Sequence, residues 1–235
     1  MADNNKLEEF QTLTGYTFRD RKLLELALTH SSFANERRNY SKKSVKPPDN
    51  ERLEFLGDAV LELVTSSDIY KGYPDMPEGR MSKYRASIVC EPTLALCARE
   101  FGLQKYLKLG KGEDATGGRN RDSIISDALE AVIGAIFLDG GFENAKAFIE
   151  KFILDDIEKR RLFYDAKSSL QELVQSMGKE IIYTDISEEG PQHDKTFTVG
   201  LEIIGVLKLE ASGHTKKAAQ QSAAYKALLQ LKEKE

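Results

Sequence analysis

Asn50-Glu51-Arg52-Leu53-Glu54-Phe55-Leu56-Gly57-Asp58-Ala59-Val60-Leu61-Glu62 is the stretch from which the fold can be read. Nothing in it breaks a helix except one glycine. Leu53, Leu56, Val60, Leu63 and Val64 recur at helical spacing, which predicts an amphipathic or largely buried helix entered through Asp49 or Asn50 as cap and ending at Gly72-Tyr73-Pro74. Glu51, Glu54 and Asp58 stand at i, i+3 and i+7 and so stack along one side of that helix, next to the apolar stripe. Two carboxylates about 5 Å apart repel by roughly 3 kcal/mol at an effective dielectric near 20, and only Arg52 is at hand to relieve them. A divalent cation would offset that repulsion, although a lone acidic face is usually just solvated.

A second acidic pair changes the balance. Asp127 and Glu130 lie at i, i+3 in the segment Ile124 to Phe137, which is apolar almost all round and therefore reads as a core helix, where charges are rarely left unpaired. Ala128, Ala131, Gly134 and Ala135 on this helix, with Gly57 and Ala59 on the first, would let the two approach closely. So packed, Glu54, Asp58, Asp127 and Glu130 meet around one point and make a hard-oxygen site for Mg²⁺ or Mn²⁺.

Outward from these helices, Lys6 to His30 carries two helical patterns, and Ser31 to Asn50, with Pro47 and Pro48, reads as a solvated loop in which Lys42, Lys43 and Lys46 could touch phosphate. Glu78 opens a further helix and Pro92 starts another. Leu107 to Asn120 holds four glycines but matches no nucleotide-binding fingerprint, so a plain flexible connection is expected. Phe142 to Tyr164 reads as the last helix of a large first domain. The period then changes. A short helix over Ser168 to Met177 precedes three alternating segments, Glu180 to Ser187, Lys195 to Ile203 and Val206 to Ser212, and an alanine-rich helix over Thr215 to Lys232. That order, α-β-β-β-α, is a second, small domain, which sets the expected division at 1–164 and 165–235.

Composition narrows the classes. Among the 235 residues 31% are charged and 40% hydrophobic, the formal net charge is −4, and the tail from Asp165 holds nine lysines against eleven acids, so a nucleic-acid surface has to be a local patch. No run of eighteen apolar residues and no leader-like apolar start occur, which points to a cytoplasmic protein without a membrane span. Cys90 and Cys97 are seven apart, too far along one helix for a disulfide, and His30, His193 and His214 are scattered without zinc spacing.

At this point the residues resemble the ribonuclease III family. Asn50 to Asp58 looks like its signature, Asp127-Ala-Leu-Glu130 like its second acidic element, and the tail like a double-stranded-RNA-binding domain. In the tail, Gly190, Pro191, His193 and Phe197 match the loop between the first two strands, and Lys216, Lys217 and Ala219 match the start of the last helix. The resemblance implies an all-helical endonuclease domain followed by the small RNA-binding domain. It implies a homodimeric endoribonuclease acting on double-stranded RNA with Mg²⁺ and no small-molecule cofactor, leaving 5′-phosphate and 3′-hydroxyl ends with short 3′ overhangs. Ribosomal RNA precursors and other structured RNAs are the substrates it suggests.

Carried over residue by residue, Glu54, Asp58, Asp127 and Glu130 would hold the metal, with Asp58 and Glu130 the catalytic pair on which hydrolysis depends most. Glu51 and Glu78 match accessory acids, and Phe55 a residue packing into the partner subunit. Gln171, Glu172 and His193 would face the minor grooves of the duplex, while Lys195, Lys216 and Lys217 would meet phosphate. The chain departs from the family pattern in its longer stretch before the signature, in Asp49 where a histidine is common, and in Gln220 where a charged residue is frequent. Two rivals remain open. A module that grips RNA without cutting would be expected to have lost one of the four acids. A helical pyrophosphate enzyme would need DDxxD-like or His-Asp clusters, and would leave the tail unexplained.

Overall fold

The computed structural model describes residues 2–41, 47–155, 166–189, 195–213 and 215–232. The chain divides into two compact units, Met1–Ile157 and Glu158–Glu235.

The first unit is helical: α1 (Ala2–Thr14), α2 (Arg21–Ala27), α3 (Ser31–Ser41), α4 (Glu51–Gly72), α5 (Glu78–Ile88), α6 (Glu91–Glu100), α7 (Lys111–Ala115), α8 (Asp122–Gly140) and α9 (Phe142–Ile149). Its axis is α8, whose residues from Ile124 to Ile136 are buried except for Asp127 and Glu130, which are half-buried. No strong amphipathic stripe is needed on such a helix, because α2, α4, α6 and α9 all pack on it. The central contact is with α4, and it is made by glycine. A Cβ on Gly134 would overlap the carbonyl of Leu53, and one on Gly57 would overlap that of Glu130. Ala59 plays no part in this approach, being exposed.

Side-chain periodicity misjudged two segments. Ser31–Ser41, expected as loop, is helical because tertiary contacts offset its weak propensity. The His30 carbonyl accepts from the amides of Phe33 and Ala34, Ala34 is buried, and the amide of Lys111 donates to Glu36 at 2.7 Å. Lys42, Lys43 and Lys46 lie outside the described residues. The glycine-bearing stretch before α8 is no flexible connection. Lys108 bridges Thr29, α7 and a 3₁₀ turn over Gly118–Asn120 follow, and Arg119 Nη1 donates to the carbonyls of Gln104 and Leu107 at 2.8 and 2.9 Å. Its Gly110 is required by close approach, since a Cβ there would stand 2.8 Å from the Ser32 carbonyl. The last helix gives way after Ile149 to a π-helical turn over Glu150–Leu154. The expected continuation to Tyr164 lies outside the described residues.

The second unit has the expected order: α10 (Ala166–Ser176), an antiparallel sheet β1 (Ile181–Glu189), β2 (Thr196–Ile203), β3 (Leu207–Gly213), and α11 (Lys216–Lys232). Register pairs Tyr183 with Leu201 and Leu201 with Leu209, and the β1–β2 ladder is interrupted between Asp185 and Ser187. Leu170 and Val174 of α10, Leu201 and Ile203 of the sheet, and Ala223, Ala227 and Leu228 of α11 form its core. Alanines at that spacing let α11 lie low on the sheet.

Candidate metal centre and RNA-binding surface

Helix α4 starts where Asn50 is held by the main chain. The amide of Asn50 donates to the Thr29 carbonyl at 2.9 Å, and its own carbonyl accepts from the amides of Leu53 and Glu54. The side chain of Asn50 forms no capping hydrogen bond; of the two expected caps it is Asp49 whose Oδ1 accepts the Glu51 amide, at 3.4 Å. One turn on, Glu54 leaves α4 towards α8, and the glycine contact sets the separation there. Glu54, Asp127 and Glu130 bring one carboxylate oxygen each to within 4.8 Å of one another.

Asp58, one turn further, is outside that trio and more exposed, but its charge acts on both Glu54 and Glu130. Glu51 lies exposed at the helix start, and its charge also reaches Glu54. Glu78 opens α5 and accepts a hydrogen bond from Ser82 Oγ at 2.8 Å.

The electrostatics are those of an acidic pocket in want of a cation. Burial, then the charges of Asp58, Asp127, Glu54 and Glu62, push the Glu130 carboxyl up to about 8. Glu54 is raised by burial and then by Asp127 and Glu51. Asp127 is raised by burial and by Glu91, with Ser126 and His30 acting in the opposite direction. Three half-buried carboxylates so arranged form a hard-oxygen donor set that fits a divalent cation of the Mg²⁺ type.

Two neighbours were missed from sequence. Glu62 continues the four-residue step from Glu54 and Asp58, a signal that was present, and it is ion-paired to Arg85 Nε at 2.7 Å. His30, whose electrostatic effect reaches Asp127, gave no signal.

On the same helix, Phe55, Leu63 and Tyr70 are 81%, 58% and 73% exposed. Leu63 was expected to face inward. Instead it lies with Phe55 on an apolar strip turned away from α8.

In the second unit, Gln171 and Glu172 are exposed on α10, and Lys216 and Lys217 are exposed where α11 begins. Lys195 is ion-paired with Glu188, and Lys216 with Asp185. Lys167 Nζ, over the Tyr183 ring, donates to Gln220 Oε1 at 2.7 Å and ties α10 to α11. His193, with Gly190 and Pro191, lies outside the described residues. Among the described residues no helix is long and apolar enough to cross a membrane.

Comparison with known proteins agrees with this division. Residues 20–157 match the family model described as Ribonuclease-III-like, and residues 166–231 match the double-stranded RNA binding motif. Ribonuclease 3 of Caldanaerobacter subterraneus subsp. tengcongensis is 48% identical over 92% of this chain and 94% of its own length. That of Listeria welshimeri is 46% identical over 97% and 98%. The solved nuclease domain of ribonuclease III from Campylobacter jejuni aligns with a TM-score of 0.56 at 40% identity, covering 66% of this chain and 97% of that one. A second structure of that domain, described for flexibility in a region involved in dimer formation, aligns at 0.55 and 41% identity over 63% and 94%. With both units matched in order and the relatives covered almost end to end, this chain belongs to the ribonuclease III family.

Proposed function

We propose that this protein is a cytoplasmic Mg²⁺-dependent endoribonuclease that hydrolyses phosphodiester bonds in double-stranded RNA, leaving 5′-phosphate and 3′-hydroxyl ends with short 3′ overhangs. Ribosomal RNA precursors and other structured RNAs are its substrates. The observation that carries the reading is the meeting of Glu54, Asp127 and Glu130 in a chain that also carries a double-stranded RNA binding motif.

Glu54, Asp58, Asp127 and Glu130 would hold the cation, with Mn²⁺ an acceptable substitute. When bound, the ion lowers the pKa of water at the scissile phosphate and neutralises charge on the transferring phosphorus. Burial and the neighbouring acids push the Glu130 carboxyl up to about 8, so it would have to lose its proton to serve as a ligand. Asp58, the most exposed of the four, and Glu130 are the catalytic pair on which hydrolysis depends most. Glu51 and Glu78 line the approach as accessory acids.

Among the described residues one chain carries one such cluster. Cutting both strands in one encounter then requires two chains, and a symmetric homodimer closed across the exposed strip at Phe55 supplies them. The second unit grips A-form RNA by shape, with Gln171, Glu172 and His193 at minor grooves and Lys195, Lys216 and Lys217 at phosphate. Domains of this type span about 16 bp.

The test incubates purified protein with a fully paired RNA of several helical turns, with Mg²⁺ or with EDTA, beside an Asp58→Asn variant. Fragments bearing 5′-phosphates, formed only with Mg²⁺ and only by the unaltered protein, are expected. Binding without cutting in every lane would leave an RNA-binding module as the better account.

A further inference from the structure

Outside the acidic centre, α2, α3 and Lys108 enclose a cavity of about 220 Å³ that none of the metal-centre acids lines. Its lining is apolar at Leu26, Phe33 and Pro48 and cationic at Lys22, Arg37 and Lys108, with Glu25 the one acid. Three cations against one carboxylate stand out in a chain of net charge −4. Among the described residues neither Lys22 nor Arg37 has a carboxylate partner. The nearby acids have contacts of their own. Glu36, the only acid of α3, accepts the Lys111 amide at 2.7 Å, Asp20 accepts the Lys22 amide at 3.0 Å, and Asp49 accepts the Glu51 amide at 3.4 Å.

The walls are held by hydrogen bonds to the main chain. The Lys108 amide donates to the Leu28 carbonyl at 2.8 Å, and the Lys108 carbonyl accepts the His30 amide at 3.1 Å. Ser32 Oγ accepts the Gly110 amide at 2.9 Å, which ties α3 to the same frame. The Arg37 guanidinium lies over the Phe33 ring, 5.1 Å from its centroid, in a cation–π contact that fixes the group while its N–H edges stay available to an anion.

The cavity is also close to the acidic centre along the chain's own hydrogen bonds. Thr29 lines it and accepts the Asn50 amide at 2.9 Å, and Glu54 follows Asn50 by four residues, about 6 Å along α4. A nucleic-acid duplex carries a phosphate charge roughly every 1.7 Å of its axis, so one seated at the centre brings further phosphates into this range. Sites for free small molecules usually run to about 300–1,000 Å³, and the smaller volume here suits one sugar–phosphate unit of a longer chain.

We propose that this cavity is a seat for the RNA backbone on the nuclease unit, in which Lys22, Arg37 and Lys108 receive a phosphodiester of the duplex away from the scissile bond, and Leu26, Phe33 and Pro48 face the attached ribose. The proposal rests on the endoribonuclease reading above and adds to it a place where the first unit itself holds the substrate.

The test measures kcat and KM on fully paired RNA with Mg²⁺ over a range of salt. It compares full-length wild type, Lys22→Ala, Arg37→Ala, the double variant, Arg37→Lys, and Lys105→Ala as a control that removes an exposed cation outside the cavity. Thermal unfolding checks that each variant is folded. Either alanine substitution is expected to raise KM about threefold at about 0.1 M salt and to reduce the slope of log KM against log salt by about one. The double variant should lose about two, with kcat within about twofold of wild type. Arg37→Lys keeps the charge and should keep the slope, and Lys105→Ala should leave KM and slope in place. Duplexes with 5′-hydroxyl and with 5′-phosphate ends should respond alike.

A folded double variant with unchanged KM and slope, or an equal effect from Lys105→Ala, overturns the seat. An effect confined to 5′-phosphate ends makes the cavity a pocket for a terminal phosphate and overturns the backbone assignment. Failure of the endoribonuclease reading is a separate result, a wild type that cuts nothing, and duplex binding in Mg²⁺ then carries the same comparison of salt slopes.

Discussion

The carbonyl of Glu130 lies where a side chain on Gly57 would have to go. One glycine on α4 therefore sets the distance at which a carboxylate on α8 meets Glu54.

Gly57→Ala is expected to force α4 and α8 apart. Overpacked core substitutions cost about 1–3 kcal/mol, and here the obstacle is backbone, which cannot rotate away. Urea unfolding should show a loss in or above that range, and RNA cleavage should drop by more than the folded fraction accounts for. Unchanged stability would mean that the two helices do not meet at this point.

The Glu130 carboxyl makes metal-free stability depend on pH. Its folded value of about 8 exceeds the ordinary 4.5, so the folded state holds the proton more tightly. That contribution is fully present below about pH 4.5 and is lost as pH rises towards 8. In EDTA, unfolding free energy should fall between about pH 5 and pH 8, and Glu130→Gln should flatten that slope while abolishing cleavage. Because filling the site displaces the proton, apparent Mg²⁺ affinity should rise with pH over the same window.

Phe55→Asp should give a monomer by sedimentation without lowering the thermal unfolding temperature of the monomeric fold, because the side chain is 81% exposed in the single chain. Loss of paired cuts in duplex RNA should accompany dissociation. A variant that stays dimeric would place the subunit contact elsewhere.

Lys195 and Lys216, two of the three lysines assigned to phosphate, are ion-paired with acids, so charge there can be gained as well as lost. Asp185→Asn frees Lys216 and is expected to tighten duplex RNA binding. Lys217→Ala should weaken it about equally for all sequences and reduce the salt slope by about one. If neither change alters the salt dependence, the start of α11 is not where phosphate is met.

Much of this was legible because it is local. Glu54 and Asp58 on one helix and Asp127 and Glu130 on another, each among small residues, were readable from spacing, and so was the change of period after the first unit. What misled the sequence reading was contact over distance. Ser31–Ser41 became a helix through hydrogen bonds with Gly110 and Lys111, which lie far along the chain, and through burial of Ala34, which the segment's composition does not announce. Leu63 fitted an inward stripe and turned out exposed, because α4 has two apolar sides and periodicity does not say which of them α8 takes.

The amino-acid sequence by itself determined the two-unit order, the helices that carry the acids, and the small residues that permit close packing, since each follows from spacing within some twenty residues. Only the tertiary structure decided that Glu54, Asp127 and Glu130 form the tight trio with Asp58 at its edge, and that Glu62 is held by Arg85. Those relations depend on the rotation of α4 against α8 and on the bridge from Thr29 to Lys108. Both are set by backbone atoms meeting across long stretches of chain, and side-chain periodicity carries no record of such meetings.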